Sequence, residues 1–114
     1  MQRNSSTVKT PLSAALTELN NNLSIARRPV TNNLVNFQTD IWKSKRSEFN
    51  PISADLMAEL TEAYVDMMLA NNIVWLVMEL GRNSQDLKEG YAKLSNKVAE
   101  RLQRILPAVR DCFK

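Results

Sequence analysis

The side chains best suited to chemistry in this sequence are carboxylates, because the chain contains no histidine. The absence of histidine excludes nucleophile systems that rest on a Ser-His or Cys-His pair. Because Gly81 and Gly90 are the only two glycines, a glycine-rich phosphate loop is excluded as well. An enzyme of this composition would depend on carboxylates, lysines, tyrosines or the single cysteine, Cys112. We therefore predict a protein that is not an enzyme and that has no cofactor.

One row of carboxylates has the spacing of a helix face. Its members follow one another at intervals of four, three and four residues: Asp55, Glu59, Glu62 and Asp66. Such a row offers oxygen ligands to a divalent cation. A solvated acidic face, or one paired with cations, has the same spacing. Metal sites in helical bundles draw their ligands from several helices, so the sequence favours an acidic face over a metal site.

A row of basic residues further along the chain has the same number of members as the acidic row. Its members are spaced at four, four and three residues: Lys93, Lys97, Arg101 and Arg104. In one interpretation this row follows a nucleic-acid backbone, which agrees with the pI of about 9.2. In the other it faces the acidic row, within the chain or across a dimer, and sets the register of two helices. The short turn predicted between the two helices favours charge pairing or simple solvation.

The compartment is predicted from what the sequence lacks. A single cysteine allows no intramolecular disulfide, which is typical of a reducing compartment. The first residues contain no apolar stretch of the kind that a secretory signal requires. The longest uninterrupted apolar run, residues 73–78, is far shorter than the ~20 residues of a membrane span. We therefore predict a cytoplasmic protein with no membrane span in this chain.

Apolar residues recur at intervals of three and four in four segments, which is the period of an amphipathic helix. The first segment begins at the Thr10–Pro11 pair, a hydroxyl cap followed by proline, and Pro29 terminates it. The second spans about residues 31–46 and ends in a basic run. Residues 49–53, which include Pro51, form the linker to the next segment.

The third segment, about residues 54–80, has the strongest helical pattern. Gly81 terminates it, and Ser84 caps the fourth segment. Pro107 lies inside the apolar seam of the fourth segment, so we predict a kink or a break near residues 105–106.

The four apolar stripes keep close to a 3.5-residue repeat, which favours helices that pack at shallow angles. The sequence therefore predicts an all-α fold, an antiparallel helical bundle of about four helices over residues 10–114. Residues 1–9 are polar and are predicted to be a flexible segment. With two glycines and four prolines, the chain has too few turn formers for a sandwich or a barrel.

Part of the third segment is apolar around the whole helix, over residues 73–78. A surface helix of a monomer carries an apolar stripe rather than such a girdle. Either this helix is the covered centre of the bundle, or a second chain covers part of it, and the sequence leaves both interpretations open. The residues predicted to contact a second chain are Trp75, Met78, Met68 and Ile73.

Residues 34–69 contain one further pattern. An F-x-T-D-x-W-x-S string precedes a helix with regularly spaced apolar residues; the matching residues are Phe37, Thr39, Asp40, Trp42, Ser44, Leu56, Leu60 and Tyr64. This pattern resembles that of uncharacterised prokaryotic helical proteins, many of which have an N-terminal membrane anchor that we do not expect here. The resemblance assigns no activity. It implies that Thr39 and Asp40 cap a helix containing Trp42, so it stays open whether residues 31–46 form one helix or two.

These patterns lead to two predicted functions. The first is a helical interaction module that self-associates, or docks a protein partner, through the third helix. The alternative is a nucleic-acid-binding accessory protein that uses the basic residues of the fourth helix. Charge of opposite sign is segregated along the chain, with residues 48–87 net acidic between two basic flanks.

Overall fold

The structure, a computed structural model, describes residues 13–31, 33–82 and 84–114. Within these ranges the regular elements are all helical, which confirms the predicted all-α bundle. In chain order they are α1 (Ala14–Ala26), α2 (Asp40–Ser44), a 3₁₀ helix (Arg46–Phe49), α3 (Ala54–Val74), a π-helical turn (Trp75–Glu79) and α4 (Gln85–Asp111). No helix in the described ranges is both long enough and apolar enough to cross a membrane.

In the described part of the chain, α1 begins at Ala14. Ser13 is its cap, and the Ser13 Oγ accepts a hydrogen bond from the backbone N–H of Leu16 at 3.0 Å. The predicted start at Thr10–Pro11 and the predicted flexible segment over residues 1–9 lie outside the described residues. The helix ends at Ala26, ahead of Pro29 as predicted.

The continuous helix predicted over residues 31–46 is wrong. Residues 33–39 form neither helix nor strand, and a helix exists only as the five residues of α2. The position of α2 agrees with the helix containing Trp42 that the family resemblance implied. Thr39 is the N-cap residue of α2. The apolar spacing in this segment therefore marks buried side chains, such as Leu34 and Phe37, and not a helical backbone.

Two asparagine side chains satisfy the backbone of this non-helical segment. Asn71 of α3 accepts a hydrogen bond from the N–H of Phe37 at 2.7 Å and donates one to its carbonyl at 3.0 Å. Asn22 of α1 does the same with Gln38, at 2.7 Å and 2.8 Å. The backbone polar groups of two consecutive residues are thus paired without a helix. Since the partners lie 34 and 16 residues away, no local pattern predicts this conformation.

Glu18 of α1 caps α2 from a different helix. Its carboxylate accepts hydrogen bonds from the backbone N–H groups of Ile41 at 2.9 Å and Trp42 at 3.2 Å. The first N–H groups of a helix have no partner within the helix, so an external carboxylate stabilises them. Thr39 makes no capping hydrogen bond with its side chain. The hydroxyl of Tyr64 in α3 donates to the same carboxylate at 2.6 Å.

Aromatic rings join α2 and the 3₁₀ helix to α3. The ring of Trp42 stacks on that of Tyr64, with centroids 4.3 Å apart and planes 7° apart. Phe49 meets both rings edge-on, at 5.1 Å from Trp42 and 6.0 Å from Tyr64. Burial, followed by the hydrogen bond to Glu18, raises the pKa of Tyr64 well above its usual value of 10.0. The short helices are therefore part of the core and not a surface linker.

α3 and α4 form an antiparallel pair, as predicted. Residue numbers rise along one helix as they fall along the other in these contacts: Glu59 with Arg101, Asp66 with Lys97, and Ile73 with Gly90. A Cβ atom added to Gly90 would lie 3.4 Å from Cδ1 of Ile73, so glycine allows a close approach of the two helices here. Gly81, at φ +68°, follows the π-helical turn and begins the connection, as its predicted terminating role requires.

α4 continues through Pro107 to Asp111, so the predicted break near residues 105–106 does not form. Its start agrees with the sequence, because the Ser84 Oγ accepts a hydrogen bond from the N–H of Leu87 at 3.0 Å. The last turns remain helical because their apolar face is buried, which offsets the hydrogen bond that proline cannot donate. The buried residues around the proline are Ile105, Leu106 and Val109.

Candidate protein-interaction surface

α3 carries apolar residues on two opposite faces. One face is buried against α4 and the rest of the core, and its residues are Leu60, Ala63, Met67, Ala70 and Val74. With about 3.6 residues per turn, Val65 and Leu69 point away from that buried face. Val65 and Leu69 are exposed to solvent. The helix is therefore apolar on the side that faces the protein and also on the side that faces water.

The exposed apolar side extends beyond α3 into the π-helical turn. We name it the outer face; its residues, each 45–54% exposed, are Val65, Leu69, Trp75, Met78 and Leu80. Six large apolar side chains are exposed in the described part of the chain, and five of them lie within residues 65–80. The sixth, Val30, lies on the connection after α1. Exposed apolar side chains are normally scattered singly, so their concentration within residues 65–80 marks this part of the surface.

The residues predicted from the sequence divide between the outer face and its edges. Trp75, which is 54% exposed, and Met78 belong to the outer face. Met68 and Ile73 are only partly exposed and pack against the core. Ile73 points towards Gly90 of α4, so it contributes to the internal helix interface.

The chain itself covers half of the apolar girdle predicted over residues 73–78. Val74 and Val77 are buried, whereas Trp75 and Met78 are exposed. The interpretation as a covered centre of the bundle thus applies to only one side of the helix, and coverage of the other side by a second chain stays a prediction. The segment is internal core on one side and an uncovered surface on the other.

Sequence reasoning missed three members of the outer face: Val65, Leu69 and Leu80. A signal for two of them was present, because Val65 and Leu69 are spaced by four residues and so share a helix face. The sequence also contains the apolar stripe with Leu60 and Met67, and that stripe alone was enough to supply the side of the helix that faces the core. Only the packed structure shows that nothing in the described chain covers the second stripe.

The π-helical turn changes the direction of the helix surface at the end of the outer face. Leu80 N–H donates to the carbonyl of Trp75, five residues earlier, at 3.1 Å. Arg82 N–H donates to the carbonyl of Leu76 at 2.9 Å. Such wide turns are rare and occur often at functional sites. Within this turn Val77 is buried, whereas Trp75 and Met78 are exposed.

Ion pairs between α3 and α4 hold the helix that carries the outer face. Glu59 pairs with Arg104 at 2.7 Å and also contacts Arg101. Arg101 lies 3.5 Å from Glu62, and Lys97 lies 3.9 Å from Asp66. The hydrogen bond from Arg104 holds the pKa of Glu59 below its usual 4.5. Three of the four residues in the predicted basic row thus face the predicted acidic row within one chain.

This pairing bears on the other two uses predicted for the charged rows. The three paired cations already neutralise carboxylates, so less of their charge is available to a nucleic acid, and nucleic-acid binding stays a prediction. Asp55, at the start of the acidic row, is exposed in the first turn of α3. No group of three potential ligands among the described residues is placed to hold a metal ion.

No protein-family model, curated protein or solved structure matches this chain.

Proposed function

We propose that this chain is a non-enzymatic helical interaction module that binds another protein chain through the outer face of α3. The observation that supports this is the run of half-exposed large apolar residues that begins at Val65 and Leu69, on the side of α3 opposite the core, and continues through the π-helical turn to Leu80. The single cysteine of the chain suits a reducing compartment, so the proposal places the module in the cytoplasm.

The size of the outer face supports an interaction role. Half-exposed side chains of this kind leave roughly 80–100 Å² each in water, so the five present about 400–500 Å² of apolar surface. Patches of about this size on a monomer are often functional. Tryptophan and methionine are enriched at the centres of protein interfaces, and a central tryptophan is a frequent hot spot. We expect Trp75 to contribute most to binding.

The outer face is also rigid, which lowers the entropic cost of binding. Two of its residues, Val65 and Leu69, lie on a 21-residue helix whose opposite side is packed in the core, and ion pairs tie that helix to α4. A surface held in its bound conformation loses less freedom on association than a mobile loop does. The face therefore suits recognition by shape, without refolding.

Site-specific photo-crosslinking in cells tests the proposed function. The photoreactive residue p-benzoylphenylalanine replaces either Trp75 or Leu69, and a control variant carries it at Gln103, an exposed position of α4. We expect both outer-face positions to give the same discrete protein adduct, identified by mass spectrometry, and the Gln103 position to give none. The proposal fails if neither outer-face position gives an adduct, or if Gln103 gives the same one.

A further inference from the structure

The outer face has one polar residue at its centre. Asn72 lies three residues after Leu69 and three before Trp75, so it shares their side of α3. It is exposed, and its side chain makes no hydrogen bond with any residue in the described ranges. The neighbouring Asn71, by contrast, is paired with the backbone of Phe37. Any chain that covers the outer face must therefore also provide partners for the Asn72 amide, because a buried unpaired amide is costly.

A second asparagine amide is the natural partner for this group. Each amide has an NH₂ donor and a carbonyl acceptor, so two facing amides can exchange two hydrogen bonds. At a two-fold axis a residue meets its own copy, which supplies this arrangement without a second binding sequence. A single asparagine within an apolar helix seam fixes the register of helix pairs in the same way. A continuous apolar partner would leave the amide unpaired.

The charge along α3 sets the direction of the second helix. Three carboxylates, Asp55, Glu59 and Glu62, lie in its first half, whereas residues 67–78 contain no charged side chain. A parallel copy would bring Asp55 and the largely exposed Glu62 close to their equivalents, whereas Glu59 is already paired with Arg104. An antiparallel copy that crosses at Asn72 overlaps the two uncharged stretches and also opposes the helix dipoles.

The area of the outer face fits a two-fold pair. Two such faces together would bury about 800–1,000 Å², which approaches the ~1,000 Å² that a specific interface should exceed. Met68 and Leu76, partly exposed beside the five residues of the face, add to this area.

We propose that the outer face binds a second copy of this chain, with the two α3 helices antiparallel and the two-fold axis at Asn72. This inference rests on the proposed function and adds the identity of the partner and its orientation. Two experiments test it, one on the axis and one on the direction of the helices.

The Asn72→Asp variant tests the axis by multi-angle light scattering over a concentration series. Two carboxylates facing each other at the axis repel, so we expect the dissociation constant of the dimer to rise about tenfold or more. The control, Asn96→Asp, makes the same charge change at an exposed position of α4 and should leave the dimer intact. Circular dichroism checks that both variants are folded. The inference is overturned if the native chain is monomeric at its highest soluble concentration. It is also overturned if the Asn72→Asp variant dimerises as strongly as the Asn96→Asp control.

Disulfide cross-linking tests the direction of the two helices. Val65→Cys and Glu79→Cys variants, each in a Cys112→Ser background, are mixed and oxidised. Residues 65 and 79 lie seven positions before and after Asn72, so an antiparallel pair places them opposite each other. We expect the mixed disulfide between the two variants to exceed either homodisulfide. A dominant disulfide between two Val65→Cys chains would indicate a parallel pair and overturn the inference.

These outcomes separate the identity of the partner from the proposed function. If the Trp75 photo-adduct contains a different protein and the native chain is monomeric, the second copy is excluded while the proposed function stands. If no adduct forms at either outer-face position, both proposals fail.

Discussion

Glu18 connects three helices at the scale of single residues. Its carboxylate is buried in α1, and it accepts hydrogen bonds from two backbone N–H groups of α2 and from the hydroxyl of Tyr64 in α3. A buried carboxylate is tolerated only when several donors surround it. The conformation of the segment that follows α1 therefore depends on this one side chain.

Removing the Tyr64 hydroxyl should destabilise the fold through Glu18. The Tyr64→Phe change keeps the ring that stacks on Trp42 but deletes one donor to the carboxylate, so we expect a loss of about 1–3 kcal/mol in the free energy of unfolding. Denaturant titration measures it. Tyr91→Phe is the matched control, since the Tyr91 hydroxyl donates to a neutral acceptor, the carbonyl of Val35, at 2.6 Å. An equal or larger loss in Tyr91→Phe would contradict the special role of the carboxylate.

The α3–α4 pair is held at the scale of elements by both packing and charge. Apolar residues form the seam between the helices, and the acidic and basic rows lie along its edge. Exposed ion pairs contribute little stability individually. The alignment of these ion pairs fixes the register of α3 against α4, because a shift of one helix by a turn would bring each carboxylate opposite a different residue.

Acid should weaken this pair through Glu59. Its pKa is lowered in the folded chain, so its contribution to stability is complete above about pH 4.5 and is lost as the pH falls through the folded pKa. We expect the native chain to be more stable than Glu59→Gln near neutral pH, with the difference shrinking towards zero in acid. Chemical denaturation from pH 7 to pH 2 measures this. Glu100→Gln is the control, because Glu100 is exposed and forms no ion pair with the described residues. A difference that does not depend on pH would refute this role for Glu59.

The whole molecule has more apolar surface on α3 than its own chain covers in the described ranges. A fold of three long helices and a short buried segment covers one side of α3 and leaves the outer face in water. Self-association would cover this face, and it would also link the stability of each chain to protein concentration.

The melting temperature should therefore rise with protein concentration. Because dissociation accompanies unfolding of a dimer, we expect a measurable increase over about a hundredfold range of concentration. Scanning calorimetry measures it at about 50 and 500 mM salt, and an apolar interface should give the same increase at both. The Asn72→Asp variant should melt at a lower temperature than the native chain at the same concentration, because its dimer is weaker. A native chain whose melting temperature is independent of concentration would indicate a monomer.

The sequence by itself determined the helices whose contacts are periodic and local. The 3.6-residue apolar period and the nearby caps set α3 and α4, including the Ser84 cap and the Gly81 terminus. The sequence also predicted, as one of two alternatives, that the acidic row pairs with the basic row, because a short connection makes α3 and α4 neighbours. These features are encoded within a few turns of the chain, so they can be predicted without the fold.

Only the tertiary structure decided the rest. Residues 33–39 leave the helical conformation because Asn22 and Asn71, distant in sequence, hydrogen-bond their backbone, and α4 passes Pro107 because its last turns are buried. Two of the five residues of the outer face, Trp75 and Met78, were among those predicted from the sequence. Its other members could not be assigned from the sequence, because a helix with two apolar stripes does not indicate which one its own chain will cover. That choice depends on the volume of the core and on which helices remain to fill it.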